Sequence, residues 1–466
     1  MLQEKTRMEN FWDYSVWGTL NVVATLLAAL LVANLLKKTI KPLQASLIPT
    51  SVLGGLLLLL FNGLFKLSTG RQLFEEPLFG TSGTMTLEML TYHCLALGFI
   101  ASTLKTTEGK INKKRSIEIL NTGITTVSTY LLQAVVGFGI TIVASLILKD
   151  FFAAAGVLLP FGYGQGTGQT MNYGNIYETE YGFVGGKSFG LTIAALGFLS
   201  ASIGGVIYLN YLKRKGRIRP SNWEKLRNHE PVERENEIPM QESIDKMTVQ
   251  IALIIVAYLA TFGIMTFLGN LLPGMRSLIF GFNFLIGVLC ATGIKGLLNV
   301  CKKTKMLQKE YTNNFLLTRA SNFFFDIMVV SGIAAIRLSV LEQYWGIMLI
   351  LGVSGLVITY AYNYWVAHKL FPEYPEEQFL MMYGMLTGTA STGIILLREL
   401  DGEFKTPAAD NMVYQNFPAI VLGFPIMLLA TLAPQKPYLT FGLLALFFAV
   451  LLIALFRSRI FCKKKR

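Results

Sequence analysis

The sequence predicts an all-α polytopic membrane protein: two inverted five-span repeats, each with a re-entrant hairpin, plus one extra C-terminal span. Three observations predict it. The chain of 466 residues is 53% hydrophobic and only 15% charged, against about 25% charged in soluble domains. Its apolar runs are separated by short basic clusters, the pattern of cytoplasmic loops. Two polar stretches without Lys, Arg, Asp or Glu, Phe161–Gly174 and Met385–Gly393, interrupt that pattern at matching places in two halves. Backbone of this kind enters a membrane protein only where protein, ions or solute satisfy its polar groups. A matched pair of such interruptions points to the binding site of a secondary transporter.

A span needs roughly 20 apolar residues to cross a hydrocarbon core about 30 Å thick. In the first half this predicts spans near Val16–Leu36, Leu47–Phe65, Leu87–Leu104, Ile117–Leu148 and Ser188–Leu212. Lys213–Lys246 is polar, carries three prolines and has no apolar periodicity, so it reads as a linker. The second half supplies Met247–Leu272, Ser277–Val300, Phe315–Val340, Tyr344–Leu370 and Met412–Leu432, and Leu439–Phe456 follows before the basic tail. The division is therefore 1–212 for the first repeat, 213–246 for a cytoplasmic linker, 247–433 for the inverted repeat and 434–466 for the extra span and tail. The N-terminus has no basic start or small-residue cleavage site, so the first span is expected to be retained.

The net charge of +13 sits in those short clusters, which argues against a nucleic-acid partner. With the N-terminus outside, Lys37, Lys38, Lys41, Lys105, Lys113, Lys114, Arg115, Lys213–Arg217, Lys302–Lys309 and the tail Lys463–Arg466 all fall in the cytoplasm. A plasma (inner) membrane location with a cytoplasmic C-terminus follows. Five spans per half is an odd number, so the halves have opposite topology. The first hairpin then enters from outside and the second from inside. Short matches agree: Gly166-Thr167 with Gly388-Thr389, and Leu97–Ala101 with Ser331–Ala335, each pair in corresponding places. Four scattered cysteines and three separated histidines suggest neither disulfides nor a metal centre.

Ile48–Gly55, Leu95–Ala101, Gly162–Gly168, Tyr181–Phe183, Gly197–Gly205, Gly384–Gly393 and Phe417–Ala419 occur in an order and spacing that resembles the sodium/glutamate symporter family. The resemblance extends from the first span to about Leu432. It implies inverted repeats with re-entrant hairpins, a homodimer, and elevator-like sodium-coupled uptake. The tips depart from the family: Gln165 stands where the family has His, and the second tip reads Met385-Leu386-Thr387-Gly388-Thr389-Ala390 rather than Gly-Leu-Gly-Ala-Thr. The span Leu439–Phe456 lies beyond the family's usual end.

The candidate site residues are Gly164, Gln165, Gly166, Thr167, Gly168, Thr170 and Asn172 in the first stretch. In the second they are Thr387, Gly388, Thr389, Ser391 and Thr392. Alternate glycines admit positive φ and close approach of a ligand to the chain. Half-helix N-termini suit a carboxylate, and threonine hydroxyls and unwound carbonyls suit sodium. Gln165, Gln169 and Asn172 fit substrate recognition and satisfaction of hairpin backbone equally well. Gln133 reads as an interhelical hydrogen bond, and Gly197–Gly205 as a helix-packing face. Asp326, after Phe323–Phe325, is an ionisable residue within an apolar run and a candidate by default. Arg337 lies three turns on, about 16 Å away along one helix, too far to pair with it.

No catalytic constellation stands out, so an enzyme is not expected, nor is any cofactor beyond sodium as coupling ion. The expected function is sodium-coupled import of glutamate or a similar small anionic solute across the lipid bilayer. The alternatives are an organic-anion or hydroxycarboxylate carrier, with proton coupling open, and a channel.

Overall fold

The computed structural model describes residues 10–80, 82–106, 113–217, 237–240, 243–307, 309–402 and 405–457. The basic tail, most of the linker, His229 and Cys462 lie outside them.

The first half is α1 (Tyr14–Thr39), a short α2 (Lys41–Ala45), α3 (Thr50–Thr69), α4 (Gly83–Leu104) and α5 (Lys113–Ile147). Short helical turns at Ala153–Val157, α6 (Leu158–Pro160) and a π-helical turn at Phe161–Gln165 lead into α7 (Gly166–Tyr181), and α8 (Gly186–Arg214) follows. The second half is α9 (Lys246–Leu271), a short α10 (Arg276–Gly281), α11 (Asn283–Lys303), α12 (Asn314–Ala334) and α13 (Trp345–Leu370). Then come α14 (Pro375–Thr387), α15 (Ala390–Leu400), α16 (Ala408–Tyr414), α17 (Asn416–Leu432) and α18 (Pro437–Leu455).

Among the described residues ten helices are long and apolar enough to cross a membrane, or eleven if α16 and α17 form one span. The protein is thus all-helical and built to be membrane-embedded, since a helix satisfies its own backbone where no water can. Two expected spans differ in detail. Ser277–Val300 is divided at Phe282, and Phe315–Val340 stops being helical at Ala334. Met412–Leu432 bends by 54°. Pro418 has no N–H to return to the carbonyl of Tyr414, so the helix breaks there and restarts with proline in its first turn.

The expected linker is docked at its C-terminal end. Glu237 is paired with Lys246 at 2.8 Å, both fully buried, and Asn313 Nδ2 donates to Glu237 at 2.6 Å. Gln250 donates to the Tyr311 carbonyl and accepts from the Asn313 N–H. Asn313 also caps α12 through the Leu316 N–H, as Asp245 caps α9.

α4 and α12, the third spans of the two halves, pack tightly against one another. Ser321 donates to the Gly98 carbonyl at 3.0 Å, and the Thr91 and Ser331 hydroxyls meet at 2.9 Å. A Cβ on Gly98 would lie 2.6 Å from the Phe325 ring, so a larger residue would push the helices apart.

Polar contacts join the helix ends in two separate groups. In one, Lys114 pairs with Glu373, Arg115 with Glu118 and Asp410, Arg217 with Glu376, and Thr106 bonds Asn314. In the other, Glu88 meets Lys187 at 2.7 Å and Arg337 at 3.7 Å, and Tyr181 donates to the Thr431 carbonyl. Arg337 is therefore beyond the end of α12, held by Glu88 and by the bond from its own N–H to the Ser188 hydroxyl.

Candidate functional site

Two chain breaks build the site. Pro160 and the glycines that follow disfavour a regular helix, and Phe161–Gln165 is wound as a π-turn. Gly166 then takes φ 80° and ψ −167°, a conformation open essentially to glycine alone. Helix α7 begins at this point. The second break follows Thr387, where α14 ends, and Thr389 caps α15 by accepting from the Thr392 N–H at 3.2 Å.

Both breaks are tied into the bundle by α5. Tyr130 donates to the Gly164 carbonyl at 3.1 Å, and Gln133 Nε2 donates at 2.9 Å to the Leu386 carbonyl and to the Thr359 hydroxyl. Tyr163, fully buried, donates to the Gly352 carbonyl at 2.6 Å.

Between the breaks lies a cavity of about 210 Å³. Gly164, Gln165 and Gln169 line it from the first break, and Gly388, Thr389 and Ser391 from the second. Asp326 opens into it from the middle of α12, with the Ser51 hydroxyl beside its carboxylate. Ser102 of α4, Thr126 and Tyr130 of α5, and Gln415 and Asn416 at the α16–α17 bend complete the polar lining. Leu95, Phe99, Phe284, Leu285 and Phe325 make an apolar wall.

Three lining side chains carry a buried polar atom without a partner in the protein: Thr126 Oγ1, Gln169 Nε2 and Gln415 Oε1. Their residues are only 1–2% exposed. Buried polar groups are nearly always hydrogen-bonded, so these three are open to water or to a polar ligand in the cavity.

No protein-family model matches the chain, and no curated protein matches it either.

Six of the expected residues line the cavity: Gly164, Gln165, Asp326, Gly388, Thr389 and Ser391. The others stand behind it. Thr167 donates to the Met328 carbonyl at 3.2 Å, and Gly168 packs on Leu95 and Met328. Thr170 is buried beside Gly190. Asn172 donates to the Gly281 carbonyl at 3.3 Å and to Gln169 Oε1 at 3.4 Å, Thr387 donates to the Tyr383 carbonyl, and Thr392 is held by Thr389. Sequence reasoning did not place Ser51, Thr126, Tyr130, Gln415 or Asn416 in the site. Gln415-Asn416 immediately precedes the Phe417–Ala419 anchor, and Ser51 lies within Ile48–Gly55, so two of those anchors mark neighbours of the cavity.

The arrangement offers both hydrogen-bond donors and acceptors to a polar ligand. The first N–H groups of α15 have no intrahelical partners, and the N-termini of α7 and α15 are the positive ends of their helix dipoles. Ala390 and Ser391 supply two of them, since the Thr392 N–H is already taken by Thr389. The last carbonyls of α14 and the neighbouring hydroxyls are hard oxygen donors.

Proposed function

We propose that the protein is a secondary active transporter that imports a small carboxylate-bearing solute with sodium, by alternating access to the cavity between the two breaks. The observation that carries this reading is one cavity bounded by both breaks and lined by three unpartnered buried polar atoms. A site shared by discontinuous helices from two halves is the design of secondary transporters.

In this reading the halves are inverted and both breaks are tips of re-entrant hairpins. The grouping of helix ends supports it. The start of α14 and the segment after α15 make contacts with Arg217 and Arg115, in the group that holds the basic helix ends. The end of α7 contacts Ser277 through Glu180 and Thr431 through Tyr181, in the opposite group. The basic group faces the cytoplasm, with the N-terminus outside. Dimerisation and an elevator movement belong to the same proposal through the family resemblance. A second reading, proton coupling to an organic anion, is favoured by one observation: Asp326 is a titratable group that opens into the cavity.

Thiol labelling at Ser391→Cys, in a background without the four native cysteines, tests alternating access. Impermeant reagents should reach it from either side of the membrane, with sodium and solute shifting the preferred side. Simultaneous access from both sides in a fixed ratio would point to a channel instead.

A further inference from the structure

The hydrogen-bonding demands of the cavity define a ligand. Gln169 Oε1 is engaged by Asn172 at 3.4 Å, which leaves the Gln169 amide N–H₂ as a donor needing an acceptor. It sits in the first turn of α7, where the helix dipole also favours negative charge. Gln415 shows the reverse. Its Nε2 donates to Asn416 Oδ1 at 3.2 Å and contacts the Met385 sulfur at 3.6 Å, so Oε1 is an acceptor needing a donor. Asp326 adds a carboxylate that the Ser51 hydroxyl meets on one side and whose remaining lone pairs can accept from a donor in the cavity. Thr126 serves either role. Among the described residues, every other lining side chain is uncharged, and much of the wall is aromatic or aliphatic.

We infer that the substrate is a net-neutral α-amino acid with an apolar side chain. Gln169 and the helix N-termini hold its carboxylate, Asp326 and Gln415 its ammonium group, and the Phe99–Phe284–Phe325 wall its side chain. This deepens the transport reading and rests on it for the step across the membrane, though not for binding. A second carboxylate, as in glutamate, would enter an apolar wall near Asp326 with no cationic side chain among the described residues that line the cavity. Carboxylates buried without a partner are strongly disfavoured.

The test is equilibrium binding to the purified full-length protein with sodium present. The probes are L-leucine, L-methionine, L-phenylalanine, L-glutamate, and two leucine fragments: isocaproate, which lacks the ammonium group, and isoamylamine, which lacks the carboxylate. At least one apolar amino acid should bind, with glutamate and the matching fragments weaker by about tenfold or more, the size of one lost charged hydrogen bond. Asp326→Asn should weaken leucine-type binding about tenfold and leave isocaproate unchanged. Gln169→Leu should weaken leucine and isocaproate but leave isoamylamine unchanged. A merely structural role for either residue would shift all three probes together.

Glutamate binding tighter than all three apolar amino acids overturns the inference, as does isocaproate matching leucine or folded protein that binds none of the three. Binding and flux separate the two proposals. An apolar amino acid that binds but is never carried sinks transport and leaves this inference standing. Sodium-driven glutamate uptake with no binding of apolar amino acids does the opposite.

Discussion

Gln133 Nε2 on α5 donates at 2.9 Å to the carbonyl of Leu386, in the last turn of α14 before the chain breaks at Gly388. Helix ends leave their final carbonyls without intrahelical partners, and here a side chain from another helix meets one of them. The same amide reaches the Thr359 hydroxyl on α13. One glutamine thus fixes the second break against two neighbouring helices.

Gln133→Leu keeps the volume but orphans the Leu386 carbonyl in a buried place. It should cost about 1–3 kcal/mol. Thermal unfolding of purified protein measures this directly, and an unchanged midpoint would remove Gln133 from the support of the break.

Gly166 is constrained by its backbone rather than by space. A Cβ there would find nothing nearer than 3.9 Å, yet φ is 80°. Gly166→Ala should therefore destabilise by about 1–3 kcal/mol from backbone strain alone. Gly168→Ala is different in kind, because its Cβ would meet Leu95 at 2.9 Å and the Met328 sulfur at 3.0 Å. Comparative structures of the two variants should show an intact Met328 position in the first and a displaced one in the second.

Thr389 caps α15 as well as lining the cavity. Thr389→Val removes the cap and should cost about 0.5–2 kcal/mol, whereas Thr389→Ser retains the oxygen and should cost little. Melting both proteins alongside the wild type checks the cap. Equal melting of the valine and serine variants would contradict it.

Which parts of this were legible in the sequence follows from physical range. The helices were readable because an apolar run long enough to cross a bilayer has few alternatives. The breaks were readable because glycine acts locally, as in the alternate glycines of Gly162–Gly168 and at Gly388. Gln133 was readable as an interhelical bond because an amide deep in an apolar run needs a partner. The partners themselves were not, since Leu386 lies 253 residues away. Long-range packing also brings Ser51, Thr126 and Gln415 to one cavity, and none of them stands out against its neighbours. The bend at Pro418 had a local signal in the missing N–H. The turn that stops α12 at Ala334 is bracketed by tertiary bonds, to Ser188 and Glu88, that no local pattern announces.

The buried Glu237–Lys246 pair makes a prediction away from the cavity. Glu237→Gln would remove the carboxylate that faces the buried Lys246 ammonium at 2.8 Å. Breaking a buried pair in this way costs about 3–5 kcal/mol. The variant should unfold at a clearly lower temperature, and wild-type melting would show that the docked segment contributes nothing to stability.

Sodium-driven accumulation in proteoliposomes tests the central claim most directly. Purified full-length protein is reconstituted and offered radiolabelled apolar amino acids, glutamate and hydroxycarboxylates under an inward sodium gradient. At least one should accumulate above its external concentration, and the accumulation should collapse when an ionophore dissipates the gradient. Uptake that only equilibrates, regardless of sodium, or no uptake of any of these solutes by folded protein, would contradict the account.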